Sequence, residues 1–101
     1  MDPERLSDVN SSDVVIATAG RDQGKLFYVI GTDPVYLMLA NGKDRSLDKP
    51  KRKKRKHIQK VLRSETRVAE KLRNGDRVLN SELRRDLAYH SREMQAYDLG
   101  G

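Results

Sequence analysis

The 101-residue sequence contains no cysteine, so a disulfide framework and a Cys-based zinc site are both excluded, and a reducing compartment is expected. No apolar run reaches the length of a membrane span. The first residues, Met1-Asp2-Pro3-Glu4, are acidic where a signal peptide is basic and then apolar, so a cytoplasmic location is expected. Histidine is scarce: His57 and His90 stand about thirty positions apart with no other strong ligands clustered near them, and no metal site is expected. The aromatic residues are Phe27, Tyr28, Tyr36, Tyr89 and Tyr97. None of them interleaves with the basic run of residues 49–57, which makes base stacking on single strands a poor second mode.

Catalytic signatures are missing too. Gly20 to Leu26 looks superficially like a phosphate loop, but that motif needs four residues between its glycines and a Ser or Thr after the lysine. Here the gap is three and Leu26 follows Lys25, so no nucleotide cofactor is expected. No serine sits in a nucleophile elbow, and the carboxylates have no apolar pocket to raise a pKa. The sequence does not read as an enzyme.

What the chain does have is charge, unevenly placed. Charged residues make up 36% and hydrophobic residues 36%, enough apolar material for one small core. Residues 1–42 carry three Lys/Arg against six Asp/Glu, a net of −3. Residues 43–57 carry nine against two, a net of +7, and residues 58–101 carry nine against seven. Basicity confined to one segment is the electrostatic footprint of a protein that meets a polyanion.

In chain order, residues 1–12 read as a flexible polar lead-in in which Leu6 and Val9 pack weakly. Val14 to Ala19 and Leu26 to Gly31 are rich in β-branched and aromatic residues and read as two strands. The Gly20–Lys25 loop between them is a hairpin connection with glycines for its turn angles. Thr32-Asp33-Pro34 is a turn, and Val35 to Ala40 is a third strand. Asn41-Gly42 signals a type I′ hairpin leading into a short fourth strand over Lys43 to Leu47, with Leu47 as an inward anchor. Val14, Ile16, Val29, Ile30, Val35, Leu37 and Leu39 are the expected core. Lys49 to His57 is a charge run too self-repelling to fill a core, and Ile58 and Val61 close the barrel as a last short strand. Two helices follow. The first has Ser64 as N-cap and Asn74-Gly75 as its stop. The second starts near Asn80 or Ser81, with Leu83, Leu87, His90, Met94 and Tyr97 along one stripe. The reading is a small mostly-β barrel over 13–61, carrying the basic run 49–57, then a helical extension over 62–101, α+β overall.

The stretch Val14 to Ile30 resembles the KOW motif of ribosomal proteins and NusG-type transcription factors. Gly24 matches the fixed glycine of that motif, Gly20 the glycine closing the first strand, and Lys25 the basic residue. Together with Asn41-Gly42-Lys43-Asp44-Arg45, Leu47 to Lys51 and the basic run ending at Lys56-His57-Ile58, the chain is similar to small bacterial KOW-domain RNA-binding proteins. These in turn are similar to the single-KOW large-subunit ribosomal proteins of archaea and eukaryotes. The resemblance covers about Asp13 to Gln59 and implies an SH3-like barrel.

The resemblance also implies a partner: structured RNA, chiefly ribosomal. Carried over, it makes Gly20, Arg21, Gly24 and Lys25 a loop contact. Arg45 and the run Lys49, Lys51, Arg52, Lys53, Lys54, Arg55, Lys56 and His57 become a clamp on the RNA backbone. The run follows the barrel directly and is anchored at both ends, so Arg21, Lys25, Lys43 and Arg45 are expected to share one face with it. Lys/Arg contacts to phosphate supply affinity without choosing sequence, which suits recognition of a folded RNA by shape. Two other readings stay open: a KOW-type module that docks protein through the tail helices, and a DNA- or nucleoid-associated basic protein.

Overall fold

Neighbouring residues in three short stretches, Val14-Val15, Phe27-Tyr28-Val29 and Leu39-Ala40, are all buried. Side chains alternate between the faces of a strand, so such runs require cover on both faces of the sheet. The computed structural model, which describes residues 9–100 and side chains as far as residue 95, provides it. Five antiparallel strands, β1 (Asp13–Ala17), β2 (Leu26–Thr32), β3 (Tyr36–Ala40), β4 (Lys51–Lys54) and β5 (Ile58–Arg63), form one sheet in the order β4-β3-β2-β1-β5. A 3-10 turn, Arg55–His57, joins β4 to β5. Helices α1 (Arg67–Asn74) and α2 (Asn80–Gly100) complete the chain.

One face holds Val9, Val15, Ala17, Phe27, Val29, Leu37 and Leu39, with Ile58 packed against them. The other holds Val14, Tyr28 and Ala40 beneath Ala69 of α1 and Leu83 and Leu87 of α2. The helices are therefore the cover of the second face, and one of the two cores exists only where they meet the sheet. Burying a side chain of the Val or Leu class stabilises by about 1.5–3 kcal/mol, so this second cluster is a major part of the folding free energy.

Several expectations are met. The loop after β1, the turn at Asp33, the strand at Ile58 and the two helices stand where the sequence placed them. Gly20 and Gly24 have positive φ, +83° and +88°. Gly75 ends α1 with φ 76°, and α2 starts at Asn80. Leu83, Leu87 and His90 are buried along one stripe, Met94 is half-buried, and Tyr97, like Leu6, lies outside the described side chains.

Others are corrected. The sheet is not a closed barrel: β4 and β5 are its two edges, and no ladder joins them. Asn41-Gly42 does not open a hairpin into a strand at Lys43 to Leu47. The Asn41 side-chain oxygen accepts hydrogen bonds from the backbone N–H of Lys43 (2.9 Å) and Arg45 (3.0 Å), which wraps the chain into a loop. Leu47 still packs against the helical core, and its N–H donates to Asn80 Oδ1 at 2.8 Å. The fourth strand is made by the basic run itself. Val35 is 54% exposed in the turn after Pro34, while Ile16 and Ile30 are only half-buried. Thr66, not Ser64, caps α1, its hydroxyl accepting from Ala69 N–H at 3.3 Å. Val9 is a buried core residue and Ser12 N–H donates to Val29 C=O, so the described end of the lead-in is tied to the sheet.

Candidate nucleic-acid interface

Strand alternation divides the basic run into two sets with different tasks. β4 pairs antiparallel with β3, placing Lys53 opposite Leu37 and Lys51 opposite Leu39, on the face of the first core. Lys53 is 8% exposed, and its Nζ donates to the carbonyl oxygen of Ala19 at 2.7 Å. Lys51 Nζ donates to Asp22 Oδ2 at 2.5 Å. Both acceptors belong to the β1–β2 loop. These two side chains bridge the open end of the sheet where no backbone ladder does.

Asp22 is the hub of that bridge. It is 4% exposed and lies within reach of Lys51, Lys25 (3.5 Å) and Arg45 (4.0 Å). The hydrogen bond from Lys51 holds its carboxyl below the ordinary value, more than offsetting the opposite push of burial. Lys25 Nζ lies 2.7 Å from Asp44 Oδ2, and each of these two groups stabilises the charge of the other. Lys25 and Arg45 are thus part of an ion-pair cluster on the loop, and Lys51 and Lys53 are structural ties. The acidic members, Asp22 and Asp44, escaped the sequence reading. Their signal was present as single acids inside otherwise basic or apolar stretches.

The opposite face of β4 carries Arg52 and Lys54, both exposed. The Arg52 guanidinium carbon lies 3.8 Å from the centre of the Tyr36 ring, a diagonal cross-strand pair, since Tyr36 is in register with Lys54. Arg55 turns back: its Nε donates to Asp33 C=O at 2.9 Å and its Nη1 reaches Val9 C=O at 3.4 Å. Lys56 is exposed, while His57 is half-buried and accepts a hydrogen bond from Thr18 N–H through its carbonyl. Lys43 and Lys49 lie exposed in the loop before β4, and Arg21 is exposed on the β1–β2 loop with Gly20 and Gly24. The structure gathers Lys25, Arg45 and Lys51 around Asp22, with Lys53 Nζ bonded to the same loop at Ala19. It sets Arg52 and Lys54 apart on the outer face.

A second group of polar side chains lies under α2. The Tyr28 hydroxyl donates to the Asp86 carboxylate and lies 2.8 Å from Ser64 Oγ, which lies 3.0 Å from His90 Nε2. Thr66 Oγ1 donates to Asp86 Oδ2 at 2.9 Å. Serine, histidine and aspartate together call for a test against a nucleophilic triad. In a triad the acid holds one imidazole nitrogen while the serine faces the other. Here Asp86 Oδ2 (3.5 Å) and Ser64 Oγ approach the same Nε2, and Ser64 is fully buried. The group has the geometry of an internal network that fastens β2, the end of β5 and α2 together. Burial, with the hydrogen bond to Asp86 adding to it, pushes the Tyr28 hydroxyl well above its ordinary value.

Among the described residues no cluster of three or more metal-ligating side chains occurs, and no helix is long and apolar enough to cross a membrane. Neither a protein-family model nor a curated protein matches the chain.

Proposed function

We propose that the protein binds structured RNA through the outward-facing half of its basic segment, with ribosomal RNA as the partner its KOW-like sequence implies. On this reading the five-stranded sheet is an SH3-like barrel of the KOW kind, its open side laced by Lys51 and Lys53. The observation that carries the proposal is the division of labour along β4. The inward lysines are consumed by Asp22 and Ala19, while Lys49, Arg52, Lys54 and Lys56 stand exposed on an ordered strand and its flanking turns. Cations fixed on regular structure lose less freedom on contact with phosphate than those of a free tail.

Four such contacts predict that log K falls against log salt with a slope of roughly −3 to −4, taking about 0.7–0.9 per phosphate. The experiment is filter binding of ribosomal RNA fragments across a salt series, with duplex DNA and heparin as competitors. Lys49→Gln, Lys54→Gln and Lys56→Gln combined should flatten the slope by roughly two and weaken binding to every RNA. Wild-type affinity and slope in that triple variant would remove the basis of the proposal. Folded RNA is expected to compete better than duplex DNA, and cosedimentation with ribosomal particles at high magnesium would give the RNA its identity.

A further inference from the structure

Arg52 is the one cation of β4 held against an aromatic ring. Its guanidinium sits 3.8 Å from the centre of Tyr36, which fixes a planar, charged group that would otherwise sweep through solvent. The ring itself is anchored from below. Tyr36 N–H and Val35 N–H both donate to Asp33 Oδ1, at 2.7 and 2.9 Å, so the turn entering β3 is closed by its own carboxylate. These two hydrogen bonds hold Asp33 ionised below the ordinary carboxylate value. Arg55 ties the same turn from the other side through the Asp33 carbonyl. The helices do not cover this end of the sheet: their core is built on Val14, Tyr28 and Ala40, and Arg52 is exposed.

A guanidinium plane backed by an aromatic ring offers its free side for stacking, and RNA-binding proteins use both aromatic side chains and arginine planes to hold splayed bases. Lys54, in register with Tyr36, and Lys56 beyond it supply cations for the flanking phosphates. We propose that the Arg52–Tyr36 pair is a stacking platform for one unpaired nucleobase, so that the RNA recognised carries a bulge or loop nucleotide beside its paired stem. This rests on the RNA-binding reading and adds to it a nucleotide contact that phosphate attraction alone does not contain. Charge complementarity favours a nucleotide over a protein segment here. The platform is cationic, with Val35 the one large apolar side chain among the described residues of the β2–β3 turn that stands exposed.

The test compares two RNA hairpins of equal length and charge, one fully paired and one with a single-nucleotide bulge. Each is titrated with the full-length wild type, Arg52→Lys and Tyr36→Leu. Arg52→Lys keeps the charge and loses the plane; Tyr36→Leu keeps the cation and loses its backing. Wild type should prefer the bulged hairpin by about tenfold, the scale of one base–aromatic stack. Both variants should lose that preference, read as the ratio of the two hairpin affinities, whatever each does to the affinity for the paired hairpin itself. Because Arg52→Lys leaves Tyr36 in place in β3, with its N–H still bonded to Asp33, it decides the matter even where Tyr36→Leu loosens the fold. Equal affinity of wild type for the two hairpins, or a preference that survives Arg52→Lys, overturns the platform and leaves phosphate binding standing. Failure of wild type to bind either hairpin in a salt-dependent way overturns both readings.

Discussion

Lys53 Nζ lies 2.7 Å from the carbonyl oxygen of Ala19, so a lysine from the most basic stretch of the chain is spent on joining an edge strand to the loop between β1 and β2. Lys53→Met keeps the aliphatic stem and removes the bond. Hydrogen bonds to charged groups contribute about 1.5–3 kcal/mol, and the variant should lose stability on that scale in urea unfolding. If the protein binds RNA as proposed, the variant's affinity at a temperature where it is folded should match wild type. A weaker affinity with unchanged stability would mean that Lys53 faces the ligand.

Acid should unfold the protein partly through Asp22. Its carboxyl is held below the ordinary value by Lys51, so near neutral pH the folded state gains from the charged form. That contribution is complete above the unfolded value of about 3.9 and is lost as pH falls through the lower, folded value. Asp33, Asp44 and Glu82 are shifted in the same direction and share the acid limb, but from exposed or half-exposed positions. Asp22→Asn should cost about 1–3 kcal/mol at neutral pH, by leaving Lys51 without its counter-charge. The same variant should flatten the decline of the urea midpoint below about pH 4. An acid limb identical to wild type would show that Asp22 does not couple to folding.

Tyr28→Phe removes the hydroxyl that meets Ser64 and Asp86 and should destabilise by about 1–3 kcal/mol. Because the phenol is held protonated, the tyrosinate absorbance that wild type gains by about pH 11, while still folded, should be unchanged in the variant. A drop in that absorbance would place Tyr28 in solvent.

Ending the chain at Arg63 should abolish cooperative folding. Val14, Tyr28 and Ala40 are fully buried, and their cover is Ala69, Leu83 and Leu87. Removing both helices strips that face bare. Sharp near-ultraviolet signals and a cooperative melt in the shortened chain would mean that the sheet's first core suffices.

Two glycines of similar φ should respond differently to alanine. A Cβ on Gly24 meets nothing within 4 Å, so only the left-handed backbone resists it, at about 1–2 kcal/mol. A Cβ on Gly42 would lie 2.2 Å from the Asn80 carbonyl oxygen, where α2 enters the fold. Arg84 Nη1 also donates to Gly42 C=O at 2.7 Å. Gly42→Ala should therefore cost clearly more than Gly24→Ala in thermal melting, and equal losses would contradict this docking of α2.

The strands at Val14, Leu26 and Tyr36 and the helix stripe Leu83-Leu87-His90 were legible because periodicity and burial are local signals. The meaning of adjacent apolar pairs was also present, since Phe27-Tyr28-Val29 can be buried only in a sheet covered on both sides. The basic run was illegible as a strand, because lysine has little intrinsic preference for strands and only the ladder with β3 imposes one. Asn41-Gly42 misled because the asparagine side chain competes with the backbone for the same N–H groups. At the candidate interface, sequence supplied the cations but not their directions. Which lysines point inward depends on register, and a one-residue slip would exchange Lys53 for Lys54.

Among the described residues no strand pairs with the outer edge of β4 or of β5, and a sheet edge is a template on which a second copy of the chain can add a strand. Here one edge is Lys51 to Lys54 and the other carries Gln59, Lys60 and Arg63. A partner strand of the same sequence arriving at β4 would set lysine and arginine against one another across the new ladder, at close cross-strand distance. Like charge thus opposes strand addition at β4, most strongly at low salt. Screening those charges weakens this opposition, and so would a polyphosphate bound along β4 as proposed above.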